Sequence, residues 1–161
     1  MKSFEKILFP LDLSEISPII VPYVKNMAEK YGAEVHMLFV ARVFDYFKGI
    51  YVSHPSIDQF ESEVIAGAQK KLREFNDEFF SDGTVKVKTV VLPGDIAEEI
   101  LKYISKENID LLGMGTHGRR GFEKVVFGSV AERMIKLAPV PLLLINPFKV
   151  KGGLEETPSQ S

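Results

Sequence analysis

Short apolar runs alternate with segments of helical periodicity along most of this 161-residue chain. The apolar runs predict buried strands, because they are short, rich in β-forming residues and bounded by turn residues. Between the runs, hydrophobic residues recur every three or four positions, as is typical of amphipathic helices. The predicted strands are residues 4–11, 34–41, 84–92, 109–114 and 141–146. The predicted helices begin at residues 14–18, 57, 93–95 and 128.

Five strands alternating with four helices predict a single α/β domain with an open, mostly parallel sheet. Short strand–helix–strand connections imply right-handed crossovers. The third strand alternates in its first half, which indicates an edge strand, and Lys86 and Lys88 would discourage unwanted pairing there. The domain spans residues 1–147. The polar residues 148–161 show no periodicity and are predicted to be a disordered tail.

Residues 42–56 do not fit the alternation of strands and helices. They contain Phe44, Tyr46, Phe47 and Tyr51 without clear periodicity. We interpret them as a long loop or a partly helical flap. The segment could cover a ligand at a strand end, or it could simply pack its aromatic rings onto the domain.

Composition narrows the class of protein. The hydrophobic content of 45% and charged content of 26% are ordinary for a globular protein, and the net charge of −2 argues against a general nucleic-acid binder. The chain has no cysteine, which excludes disulfides and thiolate catalysis. Acidic residues near the N-terminus do not fit a signal peptide, and no apolar run is long enough to span a membrane. A cytoplasmic protein without membrane contact is expected.

The most informative stretch lies between residues 112 and 139. A strand end is followed by Gly115, Gly118 and Gly121 with Arg119 and Arg120 between them, and a helix opens at residues 128–129. Glycines let bare backbone approach a ligand, and a helix start presents unpaired N–H groups to anions. Arginines add positive charge suited to phosphate oxygens. The alternative is a tight strand-to-helix crossover whose glycines only make the turn.

Two well-known phosphate motifs do not explain this stretch. No segment has the spacing of a Walker A loop. A Gly-x-Gly-x-x-Gly pattern occurs at Gly113, Gly115 and Gly118, but it follows the fourth strand and no helix opens until Gly128. That pattern binds dinucleotides when it joins the first strand to the first helix, so it does not predict NAD binding here.

The wider spacing Gly115-x2-Gly118-x9-Gly128-Ser129 resembles the nucleotide-binding signature of the universal stress protein family, in its ATP-binding branch. The likeness extends to ILFPLD at 7–12, PGDIAEEI at 93–100 and VPLLLI at 140–145, and covers roughly residues 3–147. It implies a Rossmann-like sheet of strand order 3-2-1-4-5, related to the adenine nucleotide alpha-hydrolases, with helices on both faces. It also implies a homodimer formed through residues 140–145. An apolar outermost strand supports that dimer independently, unless the tail or a helix covers it.

The resemblance carries an adenine nucleotide site onto this chain, between the ends of the first and fourth strands. Pro10, Asp12 and the backbone of Val40 would line the adenosine half. The residues expected to follow the ribose and phosphates are Met114, Gly115, His117, Gly118, Arg119, Gly128, Ser129, Val130 and Ala131. Many members of the family carry a small residue at the position of Leu13. This difference leaves the selectivity for the base open. ATP would bring Mg²⁺ or Mn²⁺ on its phosphates, so no protein metal site is expected.

Several side chains have a second interpretation. Asp12 could accept hydrogen bonds from a ribose or adenine, or it could cap a helix or hold a turn. His117 could bind phosphate, but the sequence supplies no acid to orient it as a catalyst. His36, inside a strand, is expected to be a packed histidine, and His54 to lie on the surface.

Three functions follow. The first is an ATP-binding regulatory module of the stress response. The second is a slow ATPase or phosphotransferase that uses the same site, although no clear catalytic base is present. The third is a dimeric interaction protein without nucleotide, which should lack the glycines found here.

Overall fold

The computed structural model describes residues 3–42, 55–118 and 128–154. Five parallel strands form one sheet in the order β3-β2-β1-β4-β5. The strands and helices are, in chain order, β1 (Lys6–Pro10), α1 (Ser17–Tyr31), β2 (Glu34–Ala41), α2 (Pro55–Phe79), β3 (Val87–Pro93), α3 (Ile96–Glu107), β4 (Leu111–Gly115), α4 (Ser129–Leu137) and β5 (Leu142–Ile145). The predicted fold class and strand order are confirmed.

Helices cover both faces of the sheet, and each face has its own hydrophobic core. Because successive side chains of a strand point to opposite faces, Ile7 and Phe9 of β1 join the core under α1 and α2, whereas Leu8 joins the core under α3 and α4. Leu72 of α2 is fully buried in the first core, and Met134 of α4 in the second.

Residues next to the helices explain where α1 ends and where α3 begins. α1 ends at Gly32, which adopts the left-handed conformation (φ 63°) and donates its N–H to the last turn. α3 begins after Asp95, whose carboxylate accepts a hydrogen bond from the N–H of Glu98 at 3.0 Å. In the part of the chain that the structure describes, no helix is both long and apolar enough to cross a bilayer.

The segment after β5 differs from the prediction of a disordered tail over residues 148–154. These residues form hydrogen-bonded turns, and Val150 and Leu154 pack against the first core. The sequence pattern missed them because two isolated apolar residues have no periodicity, and only the folded sheet offers them a surface. Residues 155–161 lie outside the described residues, as do the four aromatic residues of the predicted flap, Phe44, Tyr46, Phe47 and Tyr51.

Candidate functional site: a crevice at the carboxyl ends of β1 and β4

The order of the strands places the crevice. The chain moves outward from β1 in both directions, so the connections after β1 and β4 leave to opposite faces and the space between them stays open. β1 and β4 are paired directly, with Ile7 opposite Leu111 and Leu8 opposite Leu112. The segments that follow these two strands therefore face each other across the crevice.

The turn after β1 is held by Asp12. Its Oδ1 accepts a hydrogen bond from the N–H of Ser14 at 3.0 Å and another from the hydroxyl of Ser17 at 3.3 Å. The turn also places Leu13 in the left-handed region (φ 58°), which is uncommon for a residue with a branched side chain. Asp12 therefore holds a turn, as one of its two interpretations expected. It also lines the crevice.

The loop after β4 folds back tightly on itself and on β1. A β-carbon at Gly115 would lie 3.1 Å from the carbonyl oxygen of His117, and one at Gly118 would lie 3.2 Å from Asp12 Oδ2. Both distances are closer than side chains normally approach, so the two glycines allow a close fit that a larger residue would disturb. The neighbours at both positions are protein atoms, so these contacts fit the alternative in which the glycines make a tight crossover.

Thr116 joins three elements at this point. Its N–H donates to the carbonyl of Ile145 at the end of β5 (2.9 Å), and its own carbonyl accepts from the N–H of Gly128 at the start of α4 (2.7 Å). Its hydroxyl is hydrogen-bonded to Nδ1 of His117 at 2.8 Å. Thr116 and His117 are both buried. The sequence interpretation named the neighbours of Thr116 but not Thr116 itself; a hydroxyl at a strand end, beside two glycines, was the available signal.

The first turn of α4 points into the crevice. Gly128 is its N-cap residue and has no side chain with which to satisfy the N–H groups that follow. The first N–H groups of a helix have no partner within the helix and carry partial positive charge. Ser129, Val130 and Ala131 form this turn, and all three line the crevice. The end of α4 is therefore suited to an anion.

Together these segments enclose a pocket of about 580 Å³. Ligand pockets typically measure some 300–1,000 Å³, so the volume suits a nucleotide-sized molecule. Every predicted site residue that the structure describes lines it: Pro10, Asp12, Val40, Met114, Gly115, His117, Gly118, Gly128, Ser129, Val130 and Ala131. Arg119 lies outside the described residues.

The pocket also contains residues that the sequence interpretation did not name. Arg42, directly after β2, lines it and is exposed, so it adds a cation that no motif indicated. Its position after a strand end was the only signal. An apolar wall is supplied by Ile16 and Ile20 from the α1 side and by Ile96 and Ile100 from α3. These isoleucines belong to the cores on opposite faces of the sheet, so apolar side chains border the pocket on two sides.

Charged groups tie the two helices beside the pocket together. Arg133 of α4 contacts the carboxylate of Asp95, the N-cap residue of α3, at 3.2 Å. The hydrogen bond from the N–H of Glu98, with help from Arg133 and Arg42, holds the pKa of Asp95 below its usual value. Asp95 therefore stays ionised at neutral pH and anchors Arg133.

His36 lies away from the pocket, as a packed histidine should. It is buried, with Nδ1 2.8 Å from the hydroxyl of Tyr103 and Nε2 2.9 Å from Oε1 of Glu34. Burial lowers the pKa of His36 and raises the pKa of Tyr103 to about 12. His54 lies outside the described residues.

Among residues 3–42, 55–118 and 128–154, no three His, Asp or Glu side chains come together in a way that could hold a metal ion. Among the described residues that line the pocket, Asp12 is the only one with a carboxylate. One carboxylate does not bind a divalent cation firmly, since such ions need several oxygen ligands. A cation at this place would need oxygens from a bound ligand.

Known proteins are similar to this chain in both sequence and fold. Residues 3–146 match the family model of the universal stress protein family. Universal stress protein MJ0531 of Methanocaldococcus jannaschii is 35% identical over 148 residues, which cover 91% of this chain and 84% of that protein. The solved structure of hypothetical protein MJ0577, determined to assign its biochemical function, superposes with a TM-score of 0.78 at 28% identity and covers 90% of this chain and 97% of the other.

A universal stress protein solved in complex with cAMP has a TM-score of 0.66 at 16% identity, over 90% of this chain and 98% of the other. At 16% identity, this similarity is evidence for the fold alone. The family match spans nearly the whole domain, and the similarity to solved structures agrees with the strand order described above. The chain belongs to the universal stress protein family.

Proposed function

We propose that this protein binds an adenine nucleotide, ATP foremost, in the crevice between β1 and β4. One observation carries the proposal: the Asp12 turn, the glycine loop after β4 and the uncapped start of α4 all line the same pocket of about 580 Å³. The universal stress protein solved with cAMP holds an adenine nucleotide on the same fold, which supports this class of ligand.

Different parts of the pocket suit the base and the phosphates of such a ligand. The apolar wall of Ile96 and Ile100, with Val40 at the end of β2, offers a surface for a purine ring. The N–H groups at the start of α4 and the glycine backbone of the loop offer donors to phosphate oxygens. Arg42 adds positive charge. Mg²⁺ or Mn²⁺ would enter with the triphosphate and would keep several of its waters.

We propose a binding role rather than efficient catalysis. Nδ1 of His117 is hydrogen-bonded to the hydroxyl of Thr116, whereas in a catalytic triad that nitrogen is hydrogen-bonded to a carboxylate. Asp12 Oδ1 already accepts two hydrogen bonds within the β1 turn. Slow hydrolysis remains a second activity to measure, with release of inorganic phosphate from ATP as its readout.

The test of the ligand is calorimetric titration of protein shown to be free of nucleotide. Mg-ATP should saturate the protein with one site per chain and bind more tightly than AMP or cAMP, because only ATP places a polyphosphate at the start of α4. GTP should bind more weakly than ATP. Equal affinity for ATP and AMP would assign the site to the nucleoside half alone, and no heat with any nucleotide would refute the proposal.

We also propose that the protein works in the cytoplasm as a homodimer paired through the residues 140–145 that include β5. Pro141 accepts a hydrogen bond from Leu112 of β4, and Ile145 accepts one from Thr116 directly after β4. The alternating residues Leu142 and Leu144 therefore direct their backbone groups toward the open edge of the sheet. Ile135 of α4, the helix that precedes β5 in the chain, is also exposed. An open apolar edge of this kind is usually paired or covered.

Sedimentation velocity over a concentration range tests the dimer. Leu144→Pro removes one outward N–H and should give a folded monomer, whereas Leu143→Pro removes an inward N–H and should disrupt the sheet itself. A wild type that sediments as a monomer at every concentration would refute the dimer.

A further inference from the structure

On the far side of His117 from the pocket, the ring of Phe148 packs against its imidazole. The two ring centroids are 5.1 Å apart and the planes meet at 82°, an edge-to-face arrangement. His117 lines the pocket, and Phe148 does not occur among the described residues that line it. Phe148 therefore has one direct contact by which it can affect a ligand, its packing against His117.

The imidazole is held from a second direction as well. The hydroxyl of Thr116 is hydrogen-bonded to Nδ1 at 2.8 Å, and both residues are buried. Thr116 is itself fixed by backbone hydrogen bonds to Ile145 and Gly128. The hydroxyl fixes one edge of the imidazole, and the aromatic ring limits how far the imidazole can rotate about that hydrogen bond.

Phe148 is not part of a loose tail. The side chain of Asn146 accepts a hydrogen bond from the N–H of Phe148 at 3.1 Å, and its main-chain carbonyl accepts from Lys149 and Val150, each at 3.2 Å. The N–H of Leu154 closes the turn onto the carbonyl of Pro147 at 2.8 Å. Val150 and Leu154 of this turn pack on the first core, which anchors the turn to the domain.

We propose that Phe148 is a positioning residue, and that the turn at residues 146–154 is a structural part of the nucleotide site. Its ring fixes the orientation of the His117 imidazole before the ligand arrives, so that less side-chain freedom is lost on binding. The consequence for affinity rests on the proposed nucleotide function. The geometric part, a fixed imidazole, stands on the contacts alone.

The first test compares Phe148→Leu with a matched change in another ring pair. Phe79 packs against Phe75 on α2 with centroids 4.6 Å apart, and Phe79→Leu serves as the control. Phe148→Leu should weaken Mg-ATP binding about threefold to tenfold, the range expected for one aromatic pair. Phe79→Leu should leave the affinity within about twofold. Phe148→Tyr keeps an aromatic ring at this position and should bind Mg-ATP as tightly as the wild type.

A double-mutant cycle separates positioning from general loosening of the fold. If Phe148 acts through His117, Phe148→Leu causes no further loss of affinity in a His117→Ala background. Losses that multiply in the double variant would show that Phe148 acts by another route, and would overturn the proposal.

Proton NMR of the nucleotide-free protein tests the contact without any ligand. The ring current of Phe148 should shift the carbon-bound ring protons of His117, and Phe148→Leu should move these resonances while Phe79→Leu leaves them in place. Unchanged His117 resonances would overturn the positioning role even if ATP binds well. If Phe148→Leu moves the His117 resonances but the wild type binds no nucleotide, the contact stands. The proposed function is then overturned, and with it the effect on affinity.

Discussion

Gly128→Val should weaken nucleotide binding strongly while leaving the fold intact. Gly128 has φ −64° and ψ 154°, an extended conformation that any residue can adopt. A β-carbon there would lie 3.4 Å from the carbonyl oxygen of Thr116 and 3.8 Å from Cα of His117, which are ordinary contacts. The protein therefore does not need glycine at this position for its backbone, and the change acts on the space above the loop where a phosphate would lie.

The size of the effect follows from the hydrogen bonds that a displaced phosphate loses. A hydrogen bond to a charged group contributes about 1.5–3 kcal/mol. Losing one or two of them, with the accompanying attraction to the helix end, costs roughly 2–4 kcal/mol, or about 30-fold to 700-fold in affinity. The stability of the free protein should fall by about 1 kcal/mol or less, since valine is a poorer N-cap residue than glycine.

The assay pairs calorimetric titration of Mg-ATP with urea unfolding of the same samples. Gly67→Ala is the matched control: Gly67 is exposed within α2, and no atom lies within 4 Å of an added β-carbon. That change should raise stability by about 0.5–1 kcal/mol and leave affinity unchanged. Wild-type affinity in folded Gly128→Val would refute the reasoning, because a ligand that tolerates branched carbons there does not approach the start of α4.

Three further outcomes are expected. Burial lowers the pKa of His36 from its ordinary value of 6.5, and this effect exceeds the opposing attraction of Glu34. The unfolded chain therefore takes up a proton first as pH falls, so the free energy of unfolding should be steady above about pH 6.5 and decline below it; His36→Gln should remove that decline in urea titrations between pH 7 and 5. Thr116→Val leaves Nδ1 of His117 without its hydroxyl partner and should cost about 1–3 kcal/mol in urea unfolding and also weaken Mg-ATP binding. Gly153→Ala would bring a β-carbon into collision with a backbone carbonyl of the C-terminal turn, so proteolysis should clip that turn faster in the variant while the rest of the domain resists.

The sequence predicted the elements well because their signals are local. Residues 34–41 form a strand with the predicted bounds, and Gly32 ends α1 as a left-handed cap. The predicted start of α4 at residues 128–129 matches an N-cap at Gly128. Hydrophobic periodicity and glycine conformation act over a few residues, so they can be interpreted without the fold.

The order of the strands could not be worked out from those signals. The periodicity indicated an α/β sheet, and only the resemblance of the glycine spacing to a known family implied 3-2-1-4-5. Which strands become neighbours depends on contacts between segments about 100 residues apart, such as β1 with β4. Periodicity within one segment carries no information about such contacts.

By itself, then, the sequence determined the elements, the two-sided burial of the strands and the glycine-rich stretch at the site. The tertiary structure decided how those parts cooperate: that Arg42 reaches the pocket, that Asp12 holds a turn as well as lining the crevice, and that Phe148 packs against His117. Phe148 lies 31 positions beyond His117, in a segment whose composition suggested disorder. Packing against a core depends on a surface that exists only after the sheet has formed, and no local pattern along the chain records it.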